Sequence, residues 1–190
     1  MKRFAHYIIL LLGIFCSCSD TEYEYSNYPC FFVFDNSVHL DQTLAASMNA
    51  LSPGVFCRIY EQPKDGSETF FFINNQGATS NKRANAVDLN RSRVIGTYNG
   101  SGIIVGYGTI DKVFYAFDSQ CPNCYKEANL PRYTLTMDTS GKARCNTCKR
   151  VYDMNNGGIV AEGQGGDKLI RYHANTSGPQ GTLSVTNGGR

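Results

Sequence analysis

Apolar positions in this chain come in short runs broken by Asn, Gly, Asp and Ser, a spacing that suits strands and turns rather than long helices. The runs at 31–34, 55–60 and 69–73 are rich in Phe, Ile and Val. Turn sequences close them: Asp35-Asn36-Ser37, Pro63-Lys64-Asp65-Gly66 and Asn74-Asn75-Gln76-Gly77. Further strands are predicted at 94–98, 103–107, 113–117, 133–137, 143–144, 151–152, 159–160, 169–173 and 182–185. One short helix is predicted at 43–51, capped by Asp41 or Thr43 and stopped by Ser52-Pro53-Gly54. The polar stretch 78–89 has weak periodicity and reads as loop. Strands at intervals of roughly ten residues, with Gly and Asn turns between them, predict an all-β antiparallel sandwich or barrel.

One apolar run does not belong to that fold. Met1-Lys2-Arg3 is cationic, and the apolar stretch 8–15 behind it is too short to span a bilayer. The small residue Ser17 before Cys18 suits cleavage just ahead of Cys18, which would then become a lipidated first residue. The segment resembles a bacterial lipoprotein signal, with Phe15 where Leu is more usual; Cys16 is the poorer acceptor because Phe15 precedes it. Ser19-Asp20-Thr21-Glu22-Tyr23-Glu24 is similar to the acidic stretch behind the lipidated cysteine of surface lipoproteins of Bacteroidetes-type bacteria. The expected organisation is a signal peptide at 1–17, an acidic tether at 18–29 and a single domain at 30–190. The expected location is the bacterial outer membrane, facing the surface or the periplasm, with the membrane as partner through the lipid on Cys18.

Composition narrows the function. A net charge of +2, with no basic run longer than a pair such as Lys82-Arg83, gives nucleic acid nothing to bind. No P-loop, GxGxxG or HExxH is present, no Ser/His/Asp order is apparent, and the carboxylates are scattered. The expectation is a protein that is not an enzyme. Of the eight cysteines, Cys16 and Cys18 belong to the leader and four are paired as CxxC. The remaining two, Cys30 and Cys57, both lie among apolar neighbours, which suits either a disulfide or two buried free thiols.

The chemistry is concentrated in Cys121-Pro122-Asn123-Cys124 and Cys145-Asn146-Thr147-Cys148, with twenty residues (125–144) between the pairs. This spacing is a strong metal-site signal. A turn with two residues between cysteines aims both sulfurs at one centre, and two such turns supply a tetrahedron. The competing reading is a thioredoxin-like redox motif, which places CxxC at the start of a helix. Here Pro131 and β-prone sequence follow, so no helix is expected, and a second CxxC would have no role.

At these loops the sequence resembles the Rieske iron–sulfur domain. That family carries C-x-H on one loop and C-x-x-H on a second, each fed by a strand. Residues 113–118 lead into Cys121-Pro122, and Cys145-Asn-Thr-Cys148 is followed by Val151-Tyr152-Asp153. Gly157-Gly158 matches the glycine turn, while 169–172 and 182–185 match the closing strands. The resemblance covers about 93–187, half the chain, and implies a Rieske-like fold with two metal-binding loops. Cys121 and Cys145 take the places of the family's cysteines, and Cys148 that of its second histidine. Asn123 stands where the first histidine would, with Cys124 one residue later as its substitute. Replacing both imidazoles by thiolates removes the basis of the family's high potential. Four sulfurs suit Zn2+, a single iron, or a low-potential [2Fe-2S] cluster. Lys2-Arg3 is not a twin-arginine pair, so the chain is expected to cross the membrane unfolded and to acquire zinc afterwards. Lys126, Arg144, Lys149 and Arg150 are candidates to offset the site's negative charge. The expected function is a non-catalytic, lipid-anchored module stapled by structural zinc; the alternative is an electron carrier with iron in the same cysteines.

Overall fold

The computed structural model describes residues 24–97 and 101–188. The leader at 1–17, the lipidation residue Cys18, the first part of the tether and Tyr98 lie outside the described residues. Twelve strands form two antiparallel sheets among those described. The large sheet curls into a half-barrel in the order β1-β12-β11-β6-β5-β2-β3-β4. Its strands are β1 (Cys30–Asp35), β2 (Phe56–Lys64), β3 (Ser67–Asn74), β4 (Thr79–Arg83), β5 (Ile103–Tyr107), β6 (Phe114–Asp118), β11 (Arg171–Thr176) and β12 (Thr182–Asn187). The small sheet runs β10-β9-β8-β7, from β7 (Thr136–Met137), β8 (Lys142–Arg144), β9 (Val151–Asp153) and β10 (Ile159–Glu162). It is inserted in the chain between β6 and β11. The all-β antiparallel architecture expected from the pattern is what the chain adopts.

Period-two burial explains the main strands. Cys30, Phe32 and Phe34 of β1 point inward, as do Leu183 and Val185 of β12, to which β1 is paired. The β2–β3 hairpin turns at Asp65-Gly66, both at positive φ (51° and 74°), the backbone that a two-residue hairpin needs and glycine takes without strain. Inside the curl, Cys57, Ile59, Phe70, Phe72, Ile103 and Val105 pack with the β1 side chains and with Leu44 and Met48. On the other face, Phe56, Ile104, Tyr115 and Phe117 pack against the small sheet.

Helical content departs from expectation. The described residues contain four short α-helices instead of one: α1 (Asn36–His39), α2 (Gln42–Ser47), α3 (Ala86–Leu89) and α4 (Pro122–Ala128). α2 is the expected helix, capped by Asp41 through Leu44 N at 2.9 Å, but it ends at Ser47 because Met48 leaves helical geometry. The stretch 78–89 is not loop. Its first half pairs with β3 as β4, and Asn85 and Asp88 form a reciprocal capping box that starts α3. These arise from pairing and capping, which weak periodicity does not reveal. The strand expected at 94–98 is reduced to a single bridge between Val94 and Phe31, and that at 133–137 to Thr136–Met137 plus a bridge from Thr134 to Gln120.

Part of the expected tether is docked. Ser26 N donates to Arg171 O at 2.9 Å, Asn187 Nδ2 bonds the carbonyls of Ser26 and Tyr28, and the Tyr25 ring stacks on His173 with centroids 3.6 Å apart. Cys30 and Cys57 are buried free thiols, which decides between the two readings of that pair. No helix among the described residues is long and apolar enough to cross a membrane.

Candidate metal centre

The first CxxC sits at the end of β6, where the chain leaves the large sheet. Cys121 occupies the N-cap position of α4, and Pro122 takes the first helical position, where its missing N–H costs nothing. One turn of helix then places Cys124 beside Cys121. The expectation that no helix follows this pair is therefore corrected. β-prone sequence begins only after Pro131, and the seven residues of α4 fit before it, ended by Asn129 in the left-handed conformation (φ 50°). Gln120 ties the loop down, accepting from Tyr133 N at 2.8 Å and donating to Thr134 Oγ1 at 3.0 Å, while Cys121 N donates to Tyr133 O at 2.8 Å.

The second CxxC is the tight turn between β8 and β9. Cys145 N donates to Arg150 O at 2.9 Å and Lys149 N to Cys145 O at 3.0 Å, with Lys149 at φ 62°. Packing of the small sheet on Phe117, Leu169 and Tyr115 brings this turn against α4.

The four sulfurs of Cys121, Cys124, Cys145 and Cys148 all lie within 4.8 Å of one another. Cys121 to Cys148 is 3.6 Å and Cys124 to Cys145 is 3.8 Å. A regular tetrahedron of metal–sulfur bonds of about 2.3 Å has an edge of about 3.8 Å. The group therefore fits a four-thiolate site and could hold a metal ion. Cys121, Cys124 and Cys145 are buried and Cys148 is half-buried. All four residues singled out in the sequence are thus brought together.

The sulfurs are surrounded by donors. Tyr152 Oη lies 3.1 Å from Cys121 Sγ and accepts from Asn123 Nδ2 at 2.9 Å, so its own proton is free to point at the sulfur. Asn123 also donates to Asp167 O (2.9 Å) and accepts from Asp167 N (3.0 Å), which pins the segment before β11 against α4. Gly166 is required by close approach: a Cβ there would sit 2.3 Å from Asn123 Oδ1. Arg150 is the buried cation of the site. Its guanidinium bonds Gln164 O and Gly165 O and faces Cys148.

These neighbours split the thiols. Burial pushes Cys121 up to about 11, against the pull of Tyr152 Oη and the Cys124 backbone N–H. Burial and the adjacent thiols push Cys124 well above the ordinary range. Burial also opposes ionisation of Cys148, but the Arg150 backbone N–H and guanidinium outweigh it and bring the thiol down to about 6. Without a cation Cys121 and Cys124 keep their protons, because gathered anions repel in a poorly hydrated pocket; a cation removes that cost.

Of the four basic residues expected to balance the site, Arg150 alone does so among the contacts described. Lys126 pairs with Asp167 (2.9 Å), Arg144 with Glu162 (3.6 Å), and Lys149 Nζ donates to Asn146 O. His39 pairs with Asp88 (2.8 Å) and His173 stacks on Tyr25, so neither joins the cysteine group. Sequence reasoning did not assign Tyr152, Asn123 or Gly166 a role at the site. Asn123 and Tyr152 were marked only by proximity to the cysteines and by the resemblance, and Gly166, 18 residues beyond Cys148, carried no signal. No protein-family model, curated protein or solved structure matches this chain.

Proposed function

We propose that the chain is a non-catalytic, lipid-anchored module whose four cysteines hold one structural zinc ion. The observation that carries this reading is the set of sulfur–sulfur separations, all within 4.8 Å, together with the burial of three of the four ligands. Four protein thiolates fill a tetrahedron and leave no position for substrate or water, the condition of a structural rather than a catalytic zinc site. A two-iron cluster would move one pair of thiolates away from the other by the whole iron–iron separation, which the compact cluster does not favour.

A Rieske-like scaffold remains part of this proposal. Strands β6 and β8 lead into the two loops, and β9, carrying Tyr152 and Asp153, follows the second, as the resemblance implies. Zinc suits a chain that crosses the membrane unfolded, since the ion can be taken up afterwards and closes the two loops as they fold.

The test is elemental analysis of protein purified without added metal. One zinc per chain and a colourless solution are expected. One iron with visible absorption bands overturns the zinc reading in favour of a rubredoxin-like carrier. Two irons with inorganic sulfide overturn it in favour of a [2Fe-2S] cluster held by four cysteines.

A further inference from the structure

The course of the docked segment says where the chain comes from. Ser26 is bonded to Arg171, Tyr25 stacks on His173, and Glu24 pairs with the Arg171 guanidinium at 2.6 Å. At its described start the segment is held by the Arg171 side chain, which pairs with Glu24 and reaches across to the Tyr115 ring of β6. In the register of β11 and β6, Arg171 lies opposite Phe117 and Tyr172 opposite Ala116, so a side chain reaching from Arg171 to Tyr115 runs towards Phe114 and the β5–β6 turn at 108–113. The Arg171 guanidinium also lies 4.5 Å from the centroid of the Tyr115 ring, whose hydroxyl donates to Asp111 in that turn.

The turn exposes two aliphatic side chains. Ile110 is 67% exposed and Val113 38%, with exposed Asp111 and Lys112 between them. Gly54 approaches Thr109 and its N–H donates to Tyr107 O, which sets the preceding loop beside the turn; Leu51 in that loop is 92% exposed. Cys18 precedes Glu24 by six residues, and a chain of that length reaches at most about 20 Å. A lipid on Cys18 therefore holds the bilayer surface within that distance of Glu24.

We propose that the 108–113 turn, with Ile110, Val113 and the adjacent Leu51, rests in the headgroup–acyl boundary of the bilayer that holds the lipid on Cys18. This rests on the lipid-anchor reading above. Shallow burial of aliphatic side chains is favourable there, and Lys112 is placed to meet anionic headgroups. β6 connects this turn to the cysteine loop, so the metal centre lies at the far end of the strand and is displayed away from the membrane.

The chain contains no Trp, so a single introduced one is a clean reporter. Full-length lipoprotein carrying Ile110→Trp, Leu51→Trp, Leu130→Trp or Val87→Trp is reconstituted into phosphatidylethanolamine–phosphatidylglycerol vesicles with and without brominated acyl chains. Mass spectrometry reports the lipid on Cys18, and flotation reports attachment. The expected result is that bromine roughly halves emission from Trp at 110 and 51, as for side chains at the acyl boundary, and leaves 130 and 87 unchanged. Lipidated, floating protein in which 110 and 51 are unquenched, or 130 or 87 is quenched instead, overturns the orientation and leaves the anchor standing. Protein without lipid on Cys18 that fails to float overturns both.

Discussion

The two faces of the large sheet both bury cysteines, and they treat them in opposite ways. Inside the curl, Cys30 and Cys57 are single thiols among Phe, Ile and Val side chains, packed as small apolar groups. Burial raises Cys30 to about 11 and takes Cys57 further, so both stay neutral at physiological pH. On the outer face, four cysteines share one pocket with Tyr152, Asn123 and Arg150, and the half-buried Cys148 is brought down to about 6. Burial acts on both sets. What separates them is company: other sulfurs to share an ion, and donors directed at sulfur.

The largest effect that could break this comparison is loss of one of the four clustered cysteines. Cys121→Ser and Cys145→Ser should each abolish tight metal binding and lower the melting temperature as far as chelation lowers that of the parent protein. Structural zinc contributes on the order of 10 kcal/mol to a folded site. Cys57→Ala should cost only about 1–2 kcal/mol and leave the response to chelator unchanged. Differential scanning calorimetry with and without chelator measures both. An unchanged melting temperature in Cys121→Ser would place the site outside the folding unit.

Alkaline titration sharpens the other side. The Cys30 thiol ionises near 9.0 in the unfolded chain and at about 11 in the folded one. Its contribution is fully present below pH 9 and is lost as pH rises through 11, because the unfolded state gives up its proton first. The loss amounts to about 2–3 kcal/mol at 1.4 kcal/mol per unit of pKa difference. Cys30→Ala should flatten the decline between pH 9 and 11 in chemical denaturation curves, and a decline as steep as that of the parent protein would contradict the assignment.

The smallest effect concerns the donors around the sulfurs. Tyr152→Phe removes the hydroxyl that bridges Asn123 and Cys121 without changing the ring that fills the core. Metal affinity should fall by about 10- to 100-fold, the usual cost of losing a partner of a metal ligand, with little change in circular dichroism. Competition against a chromophoric chelator reads this directly.

Much of the fold was legible where burial is periodic. The strands at 31–34, 69–73 and 103–107 fall within observed strands, and that at 113–117 overlaps β6 from Phe114 on, because each alternates or runs apolar with a turn behind it. β4 was missed because a strand of Thr, Ser, Asn, Lys and Arg at a sheet edge has no apolar face to display; only its pairing with β3 makes it a strand. α4 was missed for a related reason: a seven-residue helix held at one end by the cysteine loop needs no amphipathic pattern. The four clustered cysteines were fully legible, since spacing alone marks them.

By itself, then, the sequence determined which side chains could bind a metal and that strands would carry them. Both depend on residue identity and short-range order along the chain. Tertiary structure decided that the four sulfurs converge within 4.8 Å, that Cys30 and Cys57 stay apart from them as free thiols, and that Tyr152 and Arg150 face the sulfurs. It also decided that residues 24–29, expected as tether, lie docked on β11 and β12. Apart from Arg150, which meets Cys148 within its own turn, the contacts that decide these features join segments distant in the chain. Sheet pairing and the packing of one sheet on the other fix such contacts, and no local pattern encodes them.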